Sequence, residues 1–142
     1  MKYYLAGKMS GIPQMNFPLF MHTAEMLRAR GLDILNPAEL DDDETVAAAM
    51  DNETGEHNED GPTWGEFLGR DIELVADKVD AIIALEDWWT SRGARLEVFT
   101  ALQVHKPVYT LDKGKLRLID RNACLNYIAE GTVHDSNRFQ RT

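Results

Sequence analysis

The chain has 142 residues, 44% of them hydrophobic and 27% charged, enough for one globular domain with a sizeable core and too few for two. No apolar run approaches the ~20 residues that span a bilayer, and MKYYLAGKMSG turns polar too soon for a signal peptide, so a cytoplasmic protein is expected. The lone Cys124 excludes an internal disulfide, and four scattered histidines without a second thiol argue against a zinc site; neither a metal nor a cofactor is expected.

The net charge of −9 is uneven. Ten carboxylates and no Lys or Arg lie between Glu39 and Asp60, leaving 14 acids against 15 bases elsewhere. No basic stripe exists to grip a long nucleic acid by its phosphates, although local groups could hold a small anion.

In chain order, residues 2–6 (KYYLA) form an aromatic and aliphatic run stopped by Gly7, which predicts a buried strand followed by the glycine loop GKMSGIP. Asn16 precedes Phe17, Phe20, Met21, Ala24 and Leu27, an N-cap and one apolar stripe; the helix should end near Arg30, before Gly31. Leu32–Leu35 predicts a second strand, closed by Asn36-Pro37. The acidic stretch 39–63 predicts a long, mobile loop with one helical turn around Val46–Met50, either a solvated insertion or a lid over a bound base. A calcium loop is rejected there, because Gly55 falls one position early after Asp51 and Glu53.

Phe67, Leu68, Ile72, Val75 and Val79 have helical spacing, and Asp80-AIIAL supplies the strongest strand. Ser91-Arg-Gly opens a helix with Ala94, Val98, Ala101 and Leu102 inward. Pro107-VYTL predicts a fourth strand, and residues 116–130 a last helix burying Ile119, Ala123 and Tyr127, followed by a loose polar tail. Strands and helices alternate, which argues for a single α/β domain over residues 1–142. Its parallel sheet should have about four to five strands, with helices on both faces. Ligands in such sheets sit beyond the carboxyl ends of the strands, here the loops after strands one and two and residues 86–97.

Those loops hold two groups of candidates, and a helix holds a third. Gly7, Lys8, Met9, Ser10 and Gly11 could cradle an anion with backbone N–H groups, or simply form a turn. Trp88, Trp89, Ser91, Arg92, Gly93 and Glu97 surround a helix N-terminus, where anions are favoured. The structural alternative pairs Glu97 with Arg95 or Arg70, and a tryptophan after a strand is as often packing as a stacking platform. Arg70-Asp71 on its helix reads by itself as a solvated ion pair.

Taken together, YLAG near the start, NP after strand two, RD before VDAIIAL, and SRGARLE followed by A-x-x-x-x-K-P-V resemble the nucleoside 2-deoxyribosyltransferase superfamily over roughly residues 2–111. The likeness is strongest to a phage and bacterial branch with a tryptophan before S-R-G-A-x-x-E. The resemblance implies a flavodoxin-like fold and cleavage of the N-glycosidic bond of 2′-deoxynucleosides or their 5′-monophosphates, either by water or by transfer to a second base. It makes Glu97 the nucleophile, Tyr4 the tyrosine that orients it, with Tyr3 in its place if the register slips by one, and Asp71 the residue that moves a proton to the base or holds the sugar. Asn36 joins Gly7–Ser10, Trp88, Trp89 and Ser91–Gly93 as an expected substrate contact. The expected partners are a small deoxynucleotide and further copies of the chain, as a homodimer or larger assembly.

Physical sense accompanies that transfer. A departing base builds positive charge at C1′ that a buried carboxylate can stabilise or trap, while a second acid protonates the leaving nitrogen. Tyr4 would hydrogen-bond Glu97 and keep it ionised. Relatives acting on free nucleosides resemble D-x-G-x-x-x-E; the serine at position 91 here would accept a phosphate that an aspartate repels. Two rivals stand beside hydrolysis: base exchange, and a binding module without turnover.

Overall fold

The computed structural model describes residues 1–55 and 63–140, the side chains of 138–140 excepted. Five strands form one sheet: β1 (Lys2–Ala6), β2 (Asp33–Leu35), β3 (Ala81–Ala84), β4 (Val108–Asp112) and β5 (Lys115–Leu118), in the order β2-β1-β3-β4-β5. β2, β1, β3 and β4 run parallel, and β5 returns antiparallel against β4. The chain leaves β1 toward β2 on one side and comes back to β3 on the other. The carboxyl ends of β1 and β3 therefore flank the point where the winding reverses, the usual ligand crevice of a flavodoxin-like sheet.

Alternation along β1 and β3 sorts their side chains between two cores. Tyr4, Ala6, Ile82 and Ala84 face one layer, with Val75, Val79, Trp88, Ala94, Val98, Ala101, Leu102 and Cys124. Leu5, Ile83 and Leu85 face the other, with Phe17, Phe20, Ala24, Leu27 and Ala49. Helices α3 (Trp64–Glu73, continued by a π turn Leu74–Lys78), α4 (Arg92–Gln103) and α5 (Arg121–Gln140) cover the first face; α1 (Phe17–Ala29) and α2 (Asp43–Asp51) cover the second. The π turn leaves the carbonyls of Val75 and Ala76 to be taken by the Lys106 ammonium, at 2.9 and 2.7 Å.

Four expectations are corrected. The acidic stretch holds a nine-residue helix, α2, where a loop with one helical turn was expected: Asp42 caps it by accepting from the Thr45 amide, and Ala49 joins the second core. Residues 56–62 of that stretch, with Glu56, Glu59, Asp60 and Gly61-Pro62, lie outside the described residues. Residues 115–118, assigned in part to the last helix, instead pair with β4 through a tight hairpin at Lys113-Gly114, both at positive φ. The four-residue K-L-R-L run alternates as an edge strand does, and is too short to separate from a helix by period alone. The tail expected to be loose continues α5 to Gln140.

Tyr127, expected in the core, is exposed but lies against Trp89 with ring centroids 4.7 Å apart, so the Trp88–Trp89 turn and α5 dock through aromatic contact. Gly131 completes that docking, because a Cβ there would overlap the Trp89 carbonyl. Gly131→Ala should force α5 off that turn, costing about 1–3 kcal/mol and lowering the thermal midpoint by several degrees in a melt; an unchanged midpoint would show the contact to be slack.

Candidate active site

Glu97 sits in the second turn of α4 with only 7% of its surface exposed. Its neighbour Val98 and the Ala94–Ala101 face are packed into the first core, which turns the second helical turn toward β1. There the Tyr4 hydroxyl donates to Glu97 Oε2. Tyr4 faces α4 because it shares strand parity with Ala6 and pairs with Ile82, whereas Tyr3 points to the opposite layer and meets Tyr109 edge-on at 5.8 Å. A one-residue slip would swap the faces, so the geometry selects Tyr4 over Tyr3.

Neither arginine considered for Glu97 pairs with it. Arg95 turns to the other side of α4, where it donates to the Trp89 carbonyl at 2.8 Å and binds Asp135 of α5. Arg70 binds Asp41 at 2.6 Å and Asp71 at 3.0 Å. Asp71 is half-buried, and its charge reaches Glu97.

Burial, then the Asp71 charge, push the Glu97 carboxyl up to about 8, while the Tyr4 hydroxyl and the Arg70 charge pull it down. The expectation that Tyr4 keeps Glu97 ionised is therefore corrected: its hydrogen bond is outweighed by desolvation. Asp71 is raised as well, by burial, against the Arg70 guanidinium beside it. The Tyr4 phenol is raised far above its ordinary value by burial and by Glu97, so it remains a donor.

These groups form one wall of a cleft of about 1050 Å³ at the carboxyl ends of β1 and β3. Gly7, Lys8, Met9, Ser10 and Gly11 line it, as do Asp71, Ser91, Arg92, Gly93 and Glu97. Of the loop amides, Gly11 N–H already donates to the Gly55 carbonyl at 2.8 Å, and Ile12 N–H to Met9. Ser91 Oγ caps α4 by accepting from the Ala94 amide at 3.2 Å, which leaves its own proton to donate. Trp88, Trp89 and Asn36 do not line the cleft, contrary to expectation. The two tryptophans pack toward α5, and Asn36, 1% exposed, accepts from the Ala38 amide to shape the turn after β2.

The acidic arm, expected to be a solvated insertion or a lid, contributes a second wall through Asp41, Thr45, Ala48 and Asn52. It is sewn to the first loop: besides Gly11 to Gly55, Gln14 donates its backbone N–H to Asn52 and its side-chain amide to Met50. A Cβ on Gly55 would collide with the Ile12 backbone, so the approach requires glycine. These bonds restrain Gln14, Met15 and Asn16, three consecutive non-glycine residues at positive φ. The sequence also under-read α3, where Trp64, Phe67, Leu68 and Asp71 share one face at i, i+3, i+4 and i+7 and all line the cleft. That spacing was present to be read; Asp41 meeting Arg70 across 29 positions was not.

Among the described residues no group of three or more His, Cys, Asp or Glu side chains is arranged to hold a metal ion, and no helix is long and apolar enough to cross a membrane. The arrangement supplies a buried carboxyl, Glu97, raised to about 8, a half-buried one, Asp71, raised from its ordinary value, a phenol to orient Glu97, and a cation and a helix N-terminus beside them.

A raised native carboxyl means that the folded chain holds a proton the unfolded chain releases above the usual carboxylate range. The stability it contributes is full below about pH 4 and falls as pH rises to about 8. Glu97→Gln removes that penalty while keeping an acceptor for Tyr4. Its thermal midpoint should match the wild type near pH 5 and exceed it by several degrees near pH 8.5, and an equal difference at both pH values would contradict the buried, neutral carboxyl.

The family model of a domain of unknown function, DUF4406, matches residues 1–110. Neither the curated proteins nor the solved structures return a significant match. The matched span carries β1 to most of β4 and with them Tyr4, Asp71, Ser91 and Glu97, while β5, α5 and Asp135 lie beyond it. The chain belongs to the DUF4406 family.

Proposed function

We propose that the protein is an N-glycosidase of the nucleoside 2-deoxyribosyltransferase type, hydrolysing a 2′-deoxynucleoside 5′-monophosphate to free base and deoxyribose 5-phosphate. The observation that carries this reading is Glu97, buried, hydrogen-bonded by Tyr4 and accompanied by Asp71 on the wall of a cleft large enough for a nucleotide. Ser91, Arg92 and the Lys8–Ser10 amides line the same cleft and suit a phosphate.

In this reaction the ionised Glu97 carboxylate attacks C1′ as the glycosidic C–N bond breaks, and Asp71, in its acid form, gives its proton to the departing nitrogen. Water then attacks C1′, the ester C–O bond breaks to release Glu97, and the water's proton returns to Asp71. A carboxylate packed under the sugar leaves little room for a 2′-hydroxyl, which favours deoxy substrates. The working form of the pair carries one proton, shifted from Glu97, where burial holds it at rest, to Asp71, so that Glu97 is free to attack. At low pH both acids are neutral and no nucleophile remains; above about 8 the pair loses its last proton and none is left for the base. A bell-shaped pH profile of kcat/KM is expected, with its alkaline limb near that value. A second copy of the chain beside the cleft belongs to the same proposal.

Incubation with a panel of deoxynucleoside monophosphates should release free base from at least one, and Glu97→Gln should lower kcat by about a hundredfold to ten-thousandfold. No release from any member, or an equally active variant, would defeat the assignment, and base exchange with a labelled free base ahead of hydrolysis would make it a transferase. Ser91→Asp keeps a good helix cap and adds a negative charge at the phosphate end. It should cut kcat/KM for the monophosphate by about tenfold or more and leave the matching nucleoside less affected; equal losses on both would remove the phosphate from that end of the cleft.

A further inference from the structure

Arg70 is the cation that acts on the whole acidic cluster, and its geometry is double-ended. Nη1 is held by Asp41 Oδ1 at 2.6 Å, and Nε by Asp71 Oδ1 at 3.0 Å, with the guanidinium 5.5 Å from the centre of the Phe67 ring. Asp41 belongs to the segment after β2 and Asp71 to α3, so the fork spans two walls of the cleft. A planar guanidinium holding carboxylates through separate N–H groups has little freedom to turn, and an ammonium could not reproduce the arrangement.

We infer that Arg70 is the positioning residue of the carboxyl pair: clamped by Asp41, it fixes the Asp71 carboxyl beside Glu97 and supplies the positive charge that lets the pair share one proton. The inference rests on the proposed reaction for its kinetic consequence but not for its electrostatic one. The groups facing Glu97 are the Tyr4 hydroxyl from β1 and Asp71 with Arg70 from α3, while Arg95 on its own helix is turned away to Asp135. Arg70 opposes the upward push on Glu97, Asp71 and Tyr4 alike. Without it both carboxyls would hold their protons to higher pH, and the singly protonated form would move with them.

Two measurements test this. In Arg70→Met the whole kcat/KM bell should move to higher pH, raising the ratio of activity at pH 9 to that at pH 6 by about tenfold relative to the wild type; Arg70→Lys, which keeps the charge and loses the fork, should hold the bell near its original place with a lower kcat. A bell that keeps its position in Arg70→Met while its height falls would overturn the inference and leave a merely structural arginine. Independently of any substrate, thermal midpoints of the wild type, Arg70→Met, Glu97→Gln and the double variant are followed from pH 5 to pH 9. Glu97→Gln should stabilise the Arg70→Met background more than the wild type at high pH, and additivity at every pH would overturn the inference. Coupling in the melts with no base release from any nucleotide would sustain the role of Arg70 and reject the glycosidase.

Discussion

The hydrogen bond from Tyr4 to Glu97 ties the centre of the sheet to the second turn of α4, and the cleft is organised about it. A carboxyl moved out of water must be neutralised or supplied with donors, because an isolated buried charge is far too costly to keep. The chain meets that constraint with a phenol from β1, a neighbouring acid that discourages ionisation and a guanidinium that limits how far the effect goes. Both partners stand on rigid elements: Tyr4 on a strand hydrogen-bonded on either side, and Glu97 on a helix whose Ala94, Val98, Ala101 and Leu102 are locked into the core. Side chains placed this way keep their geometry without depending on loops.

The negative charge of the chain acquires a structural meaning from the same site. Asp42 caps α2, Asp41 anchors Arg70, and the arm's end is bonded to the glycine loop after β1. The arm is thus a wall of the cleft as well as a solvated surface. Among its acids Asp41 is paired with Arg70, and Lys8 and Arg92 line the same cleft, the Arg92 guanidinium lying over the Trp64 ring at 4.8 Å. The cleft is therefore lined by charge of both signs.

Elements governed by local chemistry were legible in the amino-acid order. The parallel strands, the glycine loop, the Ser91 cap and the inward stripe of α4 follow from period, turn residues and capping, all of which act within a few positions. The errors fell where a local signal was weak or a distant contact decided. β5 is four residues long and α5 contains a glycine, so period and propensity pointed the wrong way until the hairpin and the Trp89 contact were formed. For Trp88 and Trp89 the sequence left stacking on a ligand and packing both open; that they turn toward Tyr127 depends on a helix nearly forty positions later.

By itself the sequence determined the layered α/β class and the end of the sheet at which the cleft lies, while the family resemblance it carries singled out Glu97, Asp71 and a strand-one tyrosine as candidates. Tertiary structure alone decided that Tyr4 and not Tyr3 reaches Glu97, that Arg70 goes to Asp41 and Asp71, that the acidic arm closes the cleft, and that Glu97 keeps its proton near neutrality. The division has a physical cause. Periodicity and capping are short-range properties of a chain, whereas desolvation and ion pairing depend on which groups the fold brings within a few ångströms of one another, whatever their separation in sequence.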